Sequence, residues 1–405
     1  MNFIEGGVTA AKGFLASGIH CGIRKNKTKP DLALIYSDRQ CKAAGVYTKN
    51  LVKGAPITVT KNNIADGTAQ AILCNSGIAN TCAPDGIEKA EAMCQVAADL
   101  LGLSPQDIAV ASTGVIGPSL PIEPIRNSAK TLKDALSPEG SLAAATAIMT
   151  TDTFPKEAAA SFTVGGAEIR VGGISKGSGM IHPNMATMLC FVTTDCAISA
   201  GLLQKAVKRA ADATFNMISV DGDTSTNDTF LVLANGAAEN PVIEQEGEAF
   251  EAFVDALEAV SRKLAKMMAR DGEGASKLHI CRVEGAPDLT AARLVAKSII
   301  SSNLVKAAMF GSDANAGGRA MCALGYAGAD IEVDKVDVSF QSEKGLVQVV
   351  RAGYGIPFSE ELALQVLGAE EITTRIDLHM GAASAEAYGC DLTYDYVKIN
   401  ADYRT

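Results

Sequence analysis

The sequence predicts a layered α/β protein in which helices cover sheets, and three observations carry that expectation. Short apolar runs alternate along the chain with longer amphipathic ones. Several of the short runs are rich in Val, Ile and Thr and alternate with polar residues, as in IEVDKVDVSF at 331–340, the pattern of half-buried strands. Phe250, Phe253, Leu257, Val260, Leu264 and Met268 recur at helical spacing and read as one core-facing stripe.

Taken in order, strands are expected at 31–36 (DLALIY), 70–75 (QAILCN), 108–112, 161–171, 187–195, 228–234, 330–340, 346–351 and 394–399. Helices are expected at 86–102, 201–218, 249–269 and 289–309. The stretch 172–186, GGISKGSGMIHPNMA, breaks the alternation and runs straight into the apolar TMLCFVTT. Its glycines permit unusual dihedrals and Pro183 removes a donor, so it is expected to be a tight loop suited to site chemistry.

The chain has 405 residues, 47% hydrophobic and 20% charged, with 38 glycines and no tryptophan. That suits a globular protein of about two or three lobes. A formal charge of -10 with no dense Lys/Arg stripe argues against nucleic acid or an anionic membrane as partner. Any acidic ligand must find local basic groups. The ten cysteines are scattered, without C-x-x-C, and read as reduced thiols. Glu5 and Lys12 are out of place in a secretory leader, and no run reaches the roughly 18 apolar residues of a membrane helix. A cytoplasmic protein is expected.

Gly173-Ile-Ser175-Lys-Gly177 matches a nucleophile elbow, but the glycines and Pro183 leave no helix after the serine and no histidine is marked as its base. Gly172 and Gly177 have phosphate-loop spacing, yet Ser178 stands where the lysine is required. Asp221, Asp223, Ser225 and Asn227 alternate like calcium ligands, but Thr226 and Val232 replace the turn glycine and the bidentate glutamate. No zinc spacing occurs either. Thr187 follows the glycine-rich loop and opens a strand. By residue type it is an ordinary strand former; with the 186–187 bond cut, it gains an α-amine of pKa about 7.7–8.0, able to act as its own base.

These stretches resemble the ornithine acetyltransferase family, the glutamate N-acetyltransferases of arginine biosynthesis. The likeness runs from GGVTAAKGF (6–14) through LCNSGIANTC, ASTGVIG, IMTTDTFPK, KGSGMIHPNMATML, SVDGDTSTNDT and RDGEGASK to GCDLTYDYVKINADYRT. The family usually carries a Trp where residues 313–319 read DANAGGR. The resemblance implies an N-terminal-nucleophile-like fold with two central sheets flanked by helices. It implies self-cleavage between Ala186 and Thr187 into an α-chain, 1–186, and a β-chain, 187–405. The freed Thr187 would carry acetyl from N-acetylornithine to glutamate through an acetyl-threonine ester. Thr113 and Gly114 would form the oxyanion hole. Thr150, Lys176, Thr187, Glu273, Asn400 and Thr405 would bind substrate, without metal or cofactor. Acetyl-CoA as a further donor stays open. Two α- and two β-chains would assemble as a heterotetramer. The alternative is an amidohydrolase or aminopeptidase of related fold, or a binding protein that stays in one piece. N-terminal sequencing of the purified protein is expected to read Thr-Met-Leu-Cys from the smaller fragment, and Thr187→Ala to leave a single uncut chain.

Overall fold

The computed structural model describes residues 1–182 and 188–402. The strands are β1 (Asn2–Ile4), β2 (Phe14–Ile19), β3 (Leu32–Tyr47), β4 (Thr68–Ile78), β5 (Ile108–Val115), β6 (Lys156–Val164), β7 (Ala167–Lys176), β8 (Leu189–Thr194), β9 (Ile218–Ser219), β10 (Thr229–Ala234), β11 (Leu278–Ala286), β12 (Asp337–Ser342), β13 (Gly345–Arg351), β14 (Tyr354–Gly355), β15 (Glu371–Asp377) and β16 (Ala383–Cys390). The helices are α1 (Ala55–Asn63), α2 (Gly86–Leu101), α3 (Ile122–Asp134), α4 (Ser141–Ala147), α5 (Ala200–Ala213), α6 (Glu248–Arg270), α7 (Leu289–Ser301), α8 (Asn303–Gly311), α9 (Ala316–Gly325), α10 (Glu360–Leu367) and α11 (Tyr394–Ala401).

The chain divides into two compact units. The first takes Met1–Gly177, Pro183–Asn216 and Thr224–Leu264; the second takes Ser178–His182, Met217–Asp223 and Ala265–Thr405. The expected 1–186 and 187–405 pieces are cleavage products rather than compact units, and β8 and β10, from beyond that junction, lie inside the first unit's sheet.

That sheet has nine strands among the described residues, in the order β1-β6-β7-β8-β10-β3-β4-β5, with β2 also on β3. The first part of β3 (residues 32–37), β4 and β5 are buried on both faces, so these stretches read as near-continuous hydrophobic runs. Leu32, Leu34, Leu73 and Val110 pack with Met93, Ala97 and Ile125 of α2 and α3. The alternate residues Ala33, Ile35, Ile72 and Ala109 pack with Ala144, Ala145 and Ala147 of α4 and with Leu189 and Phe191. The stripe of α6 is core, as its spacing predicts: Phe250, Phe253, Leu257, Val260, Leu264 and Met268 are all fully buried.

The second unit holds a seven-stranded sheet, β14-β13-β12-β15-β11-β16-β9, among the described residues. Its strands alternate, and Val338, Phe340, Val347, Ile372 and Ile376 meet residues of α7, α8, α9 and α10 in one cluster. Around DANAGGR, where the expected Trp is missing, Ala316 is buried and a Cβ on Gly317 would come within 2.6 Å of Val349. Small residues let α9 close onto β13 there.

Several expectations are corrected. Residues 394–399 form helix α11, not a strand. The expected strand 161–171 is two strands of a hairpin turning at Gly165-Gly166, whose φ values are +58° and +85°. The expected helix 289–309 is two, α7 and α8, because Ser302 turns extended between them and caps Val305 N–H. Helix 201–218 stops at Ala213. The expected strand 330–340 begins only at Asp337, after a short helical turn at Val333–Lys335. The expected loop 172–186 is strand up to Lys176.

Helix α4 sits directly on β2. An ideal Cβ on Gly140 would lie 1.7 Å from the Ala16 carbonyl oxygen, although the glycine's φ of -77° suits any residue. Gly140→Ala is therefore expected to destabilise the protein by about 1–3 kcal/mol through overpacking, read as a lower denaturant midpoint with unchanged slope.

Candidate functional site

β4 and β5 run parallel and bring Ser76 opposite Thr113 and Gly77 opposite Gly114. A side chain does not fit at Gly114. Its φ is +131°, and a Cβ would stand 2.2 Å from the Gly77 carbonyl carbon. The turn that carries ASTGVIG is thus fixed by a glycine pressed on its neighbour. Asn227 anchors the same place. Its Nδ2 donates to the carbonyls of Ala79 (2.6 Å) and Ser112 (2.9 Å), and its Oδ1 accepts from Thr81 Oγ1 (2.7 Å).

Lys176 ends β7 with its ammonium in the same unit, 8% exposed. Its Nζ donates to Thr150 Oγ1 at 2.8 Å and to Thr113 Oγ1 at 3.3 Å. Three of the expected site residues, Thr113, Thr150 and Lys176, therefore meet. Asp152 is the residue the motifs did not single out. One carboxylate oxygen accepts from Lys156 Nζ (2.7 Å) and Gly177 N–H (2.8 Å), and the other from Thr150 N–H (3.0 Å). Burial pushes the Asp152 carboxyl up, but the charges of Lys176 and Lys156 and the bonds from Lys156 and Gly177 override it and hold it down at about 2. Burial lowers the Lys176 ammonium, and Asp152 offsets part of that. Only the D of IMTTDTFPK signalled this carboxylate in the sequence.

A second cluster forms in the second unit. Glu273 Oε2 accepts from Asn400 Nδ2 at 2.7 Å, so α11 presents Asn400 to the RDGEG turn. Asn400 also donates to the Tyr396 carbonyl at 3.0 Å. The Glu273 N–H donates to Ser178 O at 3.0 Å, and Ser178 Oγ donates to Asp271 O at 2.6 Å. A Cβ on Gly179 would fall 2.3 Å from the Glu273 carboxyl carbon, so KGSGM needs its second glycine where the carboxylate lies.

The rejected motifs are accounted for locally. Asp221 accepts from the N–H groups of Met180 (2.6 Å) and Ile181 (2.8 Å), which uses its oxygens to hold the backbone of the glycine-rich segment. Ser175 lies inside β7 opposite Lys156 and Cys190, its Oγ buried without a partner. His182 and His279 are pushed down to about 4 and about 3, in each case chiefly by burial. No group of three or more His, Cys, Asp or Glu able to hold a metal occurs among the described residues. No described helix is long and apolar enough to cross a membrane. Ala186, Thr187 and Thr405 lie outside the described residues.

The ArgJ family model matches residues 15–405. The arginine biosynthesis bifunctional protein ArgJ of Symbiobacterium thermophilum is 52% identical over 407 residues, covering 100% of both chains. The protein of the same name from Caldanaerobacter subterraneus subsp. tengcongensis is 49% identical over 406 residues, again covering 100% of both. Among solved structures, the Bacillus halodurans ArgJ is 43% identical, covering 52% of this chain and 97% of that one, with a TM-score of 0.49. A family match over residues 15–405, with relatives 52% and 49% identical along the whole length, leaves one conclusion: the chain belongs to the ArgJ family.

Proposed function

We propose that the chain is the acetyltransferase of arginine biosynthesis that moves acetyl from N-acetylornithine to glutamate. The observation that carries this reading is the buried Lys176 ammonium held on the hydroxyls of Thr113 and Thr150, in a chain 52% identical to a named arginine biosynthesis bifunctional protein.

The mechanism begins with self-cleavage. The Thr187 hydroxyl adds to the Ala186 carbonyl, the C–N bond breaks, and the acyl group rests on oxygen as an ester. Water hydrolyses that ester, leaving a carboxylate on Ala186 and an α-amine on Thr187. In the mature enzyme this amine takes the hydroxyl proton as Thr187 attacks the acetyl carbonyl of N-acetylornithine. Ornithine leaves with the proton, glutamate attacks the acetyl-Thr187 ester, and N-acetylglutamate departs. Every attack passes through a tetrahedral anion. The Thr113 hydroxyl and the Gly114 N–H serve as its donors, each such group contributing a rate factor of roughly 10²–10³.

The substrate's charged ends need fixed partners. Lys176 holds a carboxylate, with Thr150 beside it, because an ammonium already stripped of water binds an anion more strongly than one in solvent. Glu273, kept in place by Asn400, takes the cationic end of ornithine, and Thr187 and Thr405 complete the contacts. The two products, 1–186 and 187–405, stay together because β8 and β10 hydrogen-bond between β7 and β3. Two such pairs form the heterotetramer, in the cytoplasm. Acetyl-CoA serves as an additional donor, in keeping with the word bifunctional in the relatives' names.

A transferase differs from an amidohydrolase in what resolves the acyl-enzyme. Ornithine release from N-acetylornithine is expected to rise at least tenfold (roughly) when glutamate is added; a rate indifferent to glutamate indicates hydrolysis and ends the transferase reading. Lys176→Met is expected to lower kcat/KM by roughly 10²-fold or more with the fold retained. Asp152→Asn, which keeps the shape but removes the charge between two ammonium groups, is expected to reduce activity in the same direction and to lower the thermal midpoint.

A further inference from the structure

An open cleft of about 800 Å³ lies in the first unit, between α1, the start of α5 and the far half of β3. Its floor includes Gly45 and Tyr47. Over this stretch β3 pairs with β10, while β4 pairs with β3 no further than Lys42. The unpaired edge is closed by Gln204, whose side-chain amide accepts from Gly45 N–H (3.4 Å) and donates to Gly45 O (3.2 Å). Gln204 thus takes the positions at Gly45 that an added strand would use.

The lining is cationic in a chain of charge -10. Lys49, Lys53, Lys61 and Lys208 face the cleft against a single carboxylate, Asp66. Both Asp66 oxygens already accept from Thr68, one from its N–H and one from its hydroxyl. None of the four lysines makes an ion pair with a carboxylate among the described residues. Tyr47 supplies a buried hydroxyl without a hydrogen-bond partner, and Lys61 Nζ stands 5.6 Å from its ring centre. Ile57 and Val46 form an apolar wall.

The cleft is separate from the Lys176 cluster. Lys176, Leu189, Thr229 and Tyr47 pair successively across four neighbouring strands. At the usual strand spacing that row places Tyr47 about 14 Å from Lys176, with buried Leu189 and Thr229 between them.

Its volume falls within the roughly 300–1,000 Å³ of small-molecule sites. Lysines act as point charges well suited to phosphate, and the lining has no arginine fork to favour a planar carboxylate. We propose that this cleft binds a nucleoside diphosphate group, with the phosphates on the lysines and the base and ribose against Ile57, Val46 and the Tyr47 side chain. The group can come as a free nucleotide or as the head of a coenzyme A thioester. The proposal does not rest on the acyl-transfer chemistry and fails or stands separately from it.

Calorimetric titration of the purified full-length protein with ADP, with coenzyme A and with adenosine tests it. ADP is expected to bind at one site, at least about tenfold more tightly than adenosine, and to weaken with added salt. The double variant Lys53→Glu/Lys61→Glu is expected to weaken ADP binding at least about tenfold, with N-acetylornithine–glutamate exchange unchanged. Coenzyme A competing with ADP identifies the thioester head; ADP binding without coenzyme A binding identifies a free nucleotide. Absence of ADP binding, equal binding of adenosine, or an unaltered double variant overturns the proposal.

Discussion

Asp152 is a carboxylate taken out of water and surrounded by donors: Lys156 Nζ, the Gly177 N–H and the Thr150 N–H. Lys176 lies close enough for its charge to act on the same carboxyl. Removing one partner from a buried pair of this kind typically costs about 3–5 kcal/mol, because the other charge is left without compensation. In this arrangement Thr150, Lys176 and Gly177 are each held by hydrogen bonds. Stability is a secondary outcome, since apolar residues fill such space as well or better. What the buried charge gives is position: an ammonium kept dry beside two hydroxyls.

The sheet supplies the frame on which that network sits. Parallel pairing of β4 with β5 puts Thr113 and Gly114 at the same level as Ser76 and Gly77, and the absent side chain at Gly114 lets the two turns touch. Asn227 then ties Ser112 to Ala79 with one amide. These constraints fix the backbone that carries Thr113, and its hydroxyl accepts from Lys176 Nζ at 3.3 Å. In the second unit the same economy operates through Gly179 and Glu273, where a glycine clears the space that the carboxylate fills.

Much of the fold was legible. The buried strands 31–36, 70–75 and 228–234 are continuous apolar runs because both faces of their sheet are covered. Where the reading failed, a local signal had two interpretations. YDYVKI at 394–399 is rich in strand formers, yet it forms α11 and delivers Asn400 to Glu273; tertiary contact outweighed propensity. The hairpin at Gly165-Gly166 was visible as a glycine pair but was overridden by the apolar residues on both sides. The apolar spacing of α7 continues into α8, and only the capping turn at Ser302 separates them.

The site was legible as motifs and illegible as a network. The choice of Thr113, Gly114, Thr150, Lys176, Glu273 and Asn400 rests on the resemblance of their motifs to the ornithine acetyltransferase family; by residue type alone each reads as an ordinary turn or surface position. Asp152 and Lys156 carry the same chemistry as many other Asp and Lys residues in the chain, and nothing local marks them. Their role arises only when β6, β7 and the turn before them bury both charges together. The lysines around Tyr47 are likewise scattered in sequence, and folding places them on one cleft. Sequence determined which groups are available; the tertiary structure decided which are desolvated and which are neighbours, because burial and distance between residues far apart in the chain exist only after folding.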